Sequence, residues 1–410
     1  MANLNSFIST VNQLVRQQNG LQLSKTIQLP VRQREIPKTY LQLAQRVKTV
    51  DILSYCQSNI SDPVISIIIG HVLRSLVFIC DGSWTDAYIA ELEAYNSILA
   101  YFRDDQSNWS SPVFLTISND LRLVAIQADT RTEQKDNENL RDALRNLTNG
   151  FNIVAKDRTP YSDPQSKKLS LFGVTNVLFK IYFKLNTLQL CSKLINVVER
   201  PGASNASNYH TLFPVSDVVT YKYYIGRLKM FEDKYEEARD CFLFALRHTP
   251  ETEFKNRQRI LSSLIPVQMS LGVMPSNQIG KKYGFDEFLQ LGQAVICGDL
   301  RSYEEILQKN QREFISTGTY LVLERVKVIA YRNLMKRIFN IVSNTRIKLT
   351  TFENIFIWLG EEEVDLDEIE CIVANLIYQN KVKGYINHQR RILILSKVDP
   401  FPKNSVIKQS

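Results

Sequence analysis

Glycine and proline are scarce in this chain, at 15 and 13 of 410 residues. That excludes collagen-like, linker-like and low-complexity classes and favours long helices over turn-rich β architecture. Histidine is scarcer still, with His71, His210, His248 and His388 far apart, so neither H-E-x-x-H nor H-x-H occurs and metal-dependent hydrolysis has no local motif. The six cysteines form no C-x-x-C, which excludes a zinc ribbon and a short-range dithiol redox site. Gly280-Lys281 lacks both the preceding glycine and the following Ser or Thr of a phosphate loop, and G-x-G-x-x-G and G-x-S-x-G are absent. The expectation is therefore no catalytic residue, no metal and no cofactor, although residues distant in sequence could still converge on a site.

The opening MANLNSFIST has no basic stretch followed by an apolar one, so no secretory leader is expected. We read a reducing compartment with free, mostly buried cysteines. The most apolar run, Val64 to Cys80, contains His71 and Arg74 and falls short of the roughly 20 apolar residues of a membrane span. It reads as a core helix, with no membrane insertion expected.

What is present is a long chain with 44% hydrophobic residues, enough for two or three packed units, and a net charge of +8 that leans toward polyanionic partners. Polar breaks at Thr130–Asn139, Asp157–Lys168 and Arg200–Thr211 read as exposed loops between helical stretches such as Ala87–Phe102 and Phe172–Val198. From Asp217 onward, Ile225-Gly226 followed by Ala238, Phe242, Ala245 and Pro250 matches the small-residue and aromatic spacing of a tetratricopeptide-type hairpin. Further hairpins are expected at Arg259–Leu271 and Phe285–Asp299, with Ser302-x-x-Glu305 as a capping box.

After about Thr319 the pattern changes to a helix over Tyr320–Val342, a short strand near Lys348 and a helix capped by Thr350-x-x-Glu353. A second helix capped by Asp365-x-x-Glu368 follows, then a β-hairpin around His388-Gln389-Arg390. The predicted fold is an all-α solenoid of helical, tetratricopeptide-like repeats followed by a C-terminal winged helix. Its expected divisions are an N-terminal helical-repeat region over 1–215, a second helical-repeat part over 216–330, the winged helix over 331–400 and a flexible tail over 401–410.

That order resembles the PCI domain of proteasome-lid, COP9-signalosome and translation-initiation subunits. The runs Leu178–Asn186, Val219–Arg227, Tyr331–Leu334, Cys371–Tyr378, Val382–Ile386 and Asp399–Pro402 resemble one branch of that family, the Thp-type subunits of the transcription-export complex 2. The signalosome-subunit-12 type is the nearest alternative, linked to the signalosome and to splicing-associated assemblies. The resemblance implies a non-catalytic scaffold subunit in the nucleus, including the nuclear pore, that acts in mRNA export. It further implies a larger PCI-type scaffold partner, a small acidic disordered partner of the Dss/Sem type, and contact with RNA or DNA without strong sequence specificity.

Three charge clusters carry the candidate sites. Seven carboxylates between Glu361 and Glu370 either cap and complement a helix N-terminus or meet a basic partner. In either case they disfavour base reading in a major groove by the helix they open. Lys381, Lys383, His388, Arg390, Arg391 and Lys397 either contact nucleic-acid phosphates, with Tyr385 available for stacking, or keep an edge strand soluble. Arg325, Arg332 and Lys336 fall within about 40° of one another on a helix and form either a solvated stripe or the site for the acidic partner.

Overall fold

In the computed structural model, which describes residues 4–33, 35–105, 107–132, 136–199, 213–359 and 364–402, 20 α-helices make up most of the backbone. No strand precedes Arg346 among the described residues. The expected loop Arg200–Thr211 and His210 lie outside the described residues. Two compact units partition the chain, Met1–Tyr221 and Lys222–Ser410.

The first unit begins with four short helices, α1 (Leu4–Arg16), α2 (Gly20–Ile27), α3 (Lys38–Val47) and α4 (Ile52–Asn59). Four long ones follow: α5 (Pro63–Asp81), α6 (Trp84–Asp104), α7 (Ser111–Arg131) and α8 (Glu138–Lys156). Each long helix packs on the next. The start of α5 is set chemically. Asp62 accepts the amides of Val64 and Ile65 at 2.9 and 3.0 Å, with Pro63 at the first helical position where its missing N–H is not needed. By length and composition α5 could span a membrane, yet more than half of it is buried in the unit, including Ile65, Ile69, Leu73 and Leu76. At roughly 1.5–3 kcal/mol per buried aliphatic side chain, that face is a main source of the unit's cohesion. The stretch read as one helix over Phe172–Val198 is two, α9 (Leu171–Lys184) and α10 (Cys191–Val198), because Asn186 takes a left-handed conformation at φ 54°. Among the cysteines, all free, Cys56 and Cys191 are buried while Cys371 is exposed, fewer buried than expected.

The division falls within α11 (Val215–Phe231), whose second half, from Lys222, forms a hairpin with α12 (Tyr235–Arg247) in the second unit. A Cβ on Gly226 would stand 2.8–3.1 Å from ring atoms of Phe242, so only glycine allows this approach. Phe242, Ala238 and Ala245 are fully buried, as the repeat spacing required. Next come α13 (Phe254–Ser270), α14 (Asn277–Tyr283), α15 (Asp286–Cys297), α16 (Leu300–Lys309) and α17 (Gln311–Thr317). The long α18 (Tyr320–Val342) then packs on α13, α15 and α16 and is tied to them by Asn333 donating to Val295 O at 2.8 Å and Tyr303 donating to Leu323 O at 2.6 Å. The N-cap of α16 is Asp299, which accepts from the Ser302 amide, so Ser302 is not the capping residue.

The chain ends in a winged helix of β1 (Arg346–Lys348), α19 (Leu349–Trp358), α20 (Leu366–Tyr378), β2 (Gly384–Asn387) and β3 (Ile392–Leu395). The sheet is antiparallel in the order β1-β3-β2, with Ile347 opposite Leu393 and Ile386 opposite Leu393 on the other side. Ile347, Leu349, Phe352, Phe356, Ile369, Val373, Leu376, Leu393 and Leu395 form its core. Asp365 caps α20 through the Glu368 amide at 2.7 Å, as expected, whereas α19 starts at Leu349 without a side-chain cap, so Thr350 lies inside the helix.

Candidate nucleic-acid interface

The wing is built by β2, β3 and the turn between them. Gly384 is required where β2 crosses β3, since a Cβ there would lie 2.4 Å from Ile394 O. Asn387 accepts the Arg390 amide at 3.1 Å and shapes the turn, and Arg391 adopts φ 51° on its far side. This geometry sends the two neighbouring arginines in different directions. Arg390 is exposed and has no ion pair among the described residues. Arg391 folds back on α20, donating to Asp367 and, at 2.8 Å, to Glu370, and these bonds push its already high pKa further up. His388 Nδ1 lies 2.8 Å from the other oxygen of Glu370. The wing turn is therefore clasped to the acidic start of α20, and Arg391 is not available as a free phosphate contact. Glu361, Glu362 and Glu363 of the acidic run lie outside the described residues.

Lys383 and Lys397 are exposed and make no ion pair among the described residues. Lys381 is different: it is only partly exposed, and burial, with nearby Arg332, lowers the pKa of its ammonium.

Arg332 corrects the predicted basic stripe. Its side chain is buried, donating to Phe401 O and Pro402 O at 3.2 and 3.1 Å and to Asn333 Oδ1 at 2.9 Å, while its guanidinium lies over the Phe401 ring. Helical angle alone placed it beside Arg325 and Lys336, but the returning C-terminal strand of chain covers it. Phe401 and Pro402 are accordingly buried and do not belong to a tail, while 403–410 lie outside the described residues. Of the stripe, Arg325 pairs with Asp233 at 2.7 Å and Lys336 is exposed. No cluster of three or more His, Cys, Asp or Glu suited to a metal ion occurs among the described residues.

A PCI domain model matches residues 307–397, and a model of PSMD3-like N-terminal TPR repeats matches residues 141–290. The PCI domain-containing protein 2 homolog of Dictyostelium discoideum is 33% identical over 98% of this chain and 92% of its own length. The chain belongs to the PCI domain-containing protein 2 family. The Danio rerio member is 35% identical over 86% of this chain and 88% of its own length. A Neurospora crassa relative named Protein CSN12 homolog is 30% identical over 82% of each chain. The likeness to the PCI domain-containing protein 2 family thus extends across nearly the whole chain, including the first 150 residues. The PCI domain is a scaffold module of non-catalytic complex subunits.

Sequence reasoning placed Asp367 and Glu370 in the acidic run but missed their pairing with Arg391 and His388 of the wing turn, and it missed Arg346 and Lys348, which β1 brings into the same sheet. The alternation Arg346-Ile347-Lys348 was the available signal for the latter pair.

Proposed function

We propose that this chain is a non-catalytic PCI scaffold subunit of a nuclear complex that couples transcription to mRNA export, and that it contributes, with its partner, a surface for RNA or DNA. The observation that carries the reading is membership of the PCI domain-containing protein 2 family together with a winged helix that keeps Lys383, Arg390 and Lys397 free in solvent. Three free cations fit phosphate contacts, which position a nucleic acid without reading its sequence. The proposed partners are a larger PCI-type export scaffold and a small acidic disordered protein of the Dss/Sem type, for which Lys336 and Arg325 offer exposed charge. The proposed location is nuclear, including the nuclear pore. The likeness to the Protein CSN12 homolog favours a second reading, a subunit of a signalosome or splicing-associated assembly.

Affinity capture of the tagged full chain from nuclear extract separates the two. Co-purification of an export scaffold supports the first reading and of signalosome subunits the second, and recovery of neither would sink both.

A further inference from the structure

Side chains directly opposite one another in an antiparallel pair share a face of the sheet. The register therefore sorts the winged-helix sheet into two faces. Ile347, Leu393 and Leu395 point inward and are buried. Outward point Arg346 and Lys348 on β1, Ile392 and Ile394 on β3, and Tyr385 on β2, with Tyr385 opposite Ile394 and Ile394 opposite Arg346. Lys383 joins this face, two residues before Tyr385, and its carbonyl accepts the Ser396 amide at 2.8 Å in continuation of the ladder.

The composition of this face is unlike that of a merely solvated one. Tyr385 is 61% exposed and rests on no other ring among the described residues. Ile392 and Ile394 are half-buried in the centre, while Arg346, Lys348 and Lys383 are exposed and make no ion pair with any described residue. Cations alone would keep edge strands from pairing with other chains, but an exposed aromatic on the edge strand works against that purpose. Cations on both margins, an apolar centre and an unstacked aromatic ring are instead the parts of a surface that holds an extended nucleic-acid strand: bases stack on the ring and phosphates meet the rims. The face is two strand spacings wide, roughly 10 Å. Duplex keeps its bases stacked on one another and has none to offer Tyr385. The neighbouring α20 also presents Asp365, Asp367 and Glu368 at its start, which repels insertion into a groove.

We propose that the outer face of this sheet is a binding platform for single-stranded nucleic acid, with Tyr385 stacking a base and Arg346, Lys348 and Lys383 holding the adjoining phosphates. The inference rests on the reading that the winged helix contacts nucleic acid, and it moves the contact from the tip of the wing to the sheet.

Fluorescence anisotropy of the full chain at low salt, with a labelled oligouridylate of about 12 nucleotides and a duplex of equal length, tests it. Single strand should bind more tightly than duplex. Tyr385→Ala should weaken the single strand roughly 5- to 150-fold and leave duplex binding nearly unchanged, while Tyr385→Phe should retain affinity because the ring is kept. The Arg346→Ala/Lys348→Ala pair should lower the slope of log K against log salt by about 1.4, at about 0.7 per lost single-strand contact, and carries the test if Tyr385→Ala folds poorly. If the strand binds and none of these variants changes it, the platform is refuted. If Arg390→Ala alone weakens binding, the wing tip is the site, so the platform fails and the functional reading stands. A wild-type chain that binds neither form would overturn the platform, while the functional reading, which places the surface on the chain together with its partner, is decided by the affinity capture.

Discussion

Arg390→Ala and Arg391→Ala are expected to behave differently although the residues are adjacent. Removing Arg390 deletes a free charge and should leave the melting temperature unchanged, since an exposed turn residue without partners contributes little to stability. Removing Arg391 breaks the clasp on Asp367 and Glu370 and should lower the Tm slightly but measurably in a thermal melt, since exposed ion pairs contribute little. Arg332 is a stronger case, because its planar fork serves three acceptors in a buried site. Arg332→Lys keeps the charge but cannot reproduce that geometry, so it should destabilise nearly as much as Arg332→Ala, by about 2–4 kcal/mol in urea unfolding.

A second residue-scale effect lies in the first unit. Asp120 on α7 accepts the Leu29 amide at 2.9 Å, and burial pushes its carboxyl up to about 7 despite that bond and the charges of Arg32 and Arg122. Burial likewise raises Glu91 on α6 well above the carboxylate range, reinforced by Asp120. A raised acid binds a proton in the folded state that the unfolded chain has already released. Stability is therefore greatest below about pH 4 for this group, falls as pH rises toward 7 by at most about 1.4 kcal/mol per unit, and is level above. Asp120→Asn, whose amide oxygen can still accept from Leu29, should flatten that part of a Tm-against-pH curve. A parallel decline in the variant would show that Asp120 is not the group responsible.

At the scale of elements, the α11–α12 hairpin depends on contact between a glycine and a ring. Gly226→Val would force Phe242 aside and should cost about 1–3 kcal/mol, whereas Gly82→Ala at the end of α5 faces open space and suffers only from its φ of 79°. A thermal melt of Gly226→Val equal to wild type would mean that the hairpin tolerates a wider separation. Helix positions were readable from the sequence because apolar spacing and buried faces coincide, as over Tyr320–Val342. Caps were read less well. Ser302-x-x-Glu305 has the right spacing, yet the carboxylate of Asp299, three residues upstream, takes the amide instead. The charges of the candidate site were also visible in the sequence, but their partners were not. Arg391 and Asp367 are 24 residues apart, and the buried setting of Arg332 depends on residues 69 and 70 positions away. Such pairings are products of tertiary closure and leave no periodic trace.

For the whole molecule, the expected scaffold role predicts that stability depends on company. Adding an export-scaffold fragment at about 100 times its Kd should raise the stability of the chain by about 2.7 kcal/mol, visible as a higher Tm. No shift with saturating partner would count heavily against the scaffold reading.

The seating of Phe401 and Pro402 has a practical corollary for anyone trimming this protein. The family model ends at residue 397, which makes that a tempting place to cut. A fragment ending there would lose the carbonyls that receive the Arg332 guanidinium and the ring that lies 5.8 Å from Phe339, and also the Pro400 carbonyl that accepts the Lys383 amide. It would leave a bare cation and an uncovered aromatic ring at its end, and aggregation of such a fragment would say nothing about the intact chain. The fold therefore runs at least to Pro402.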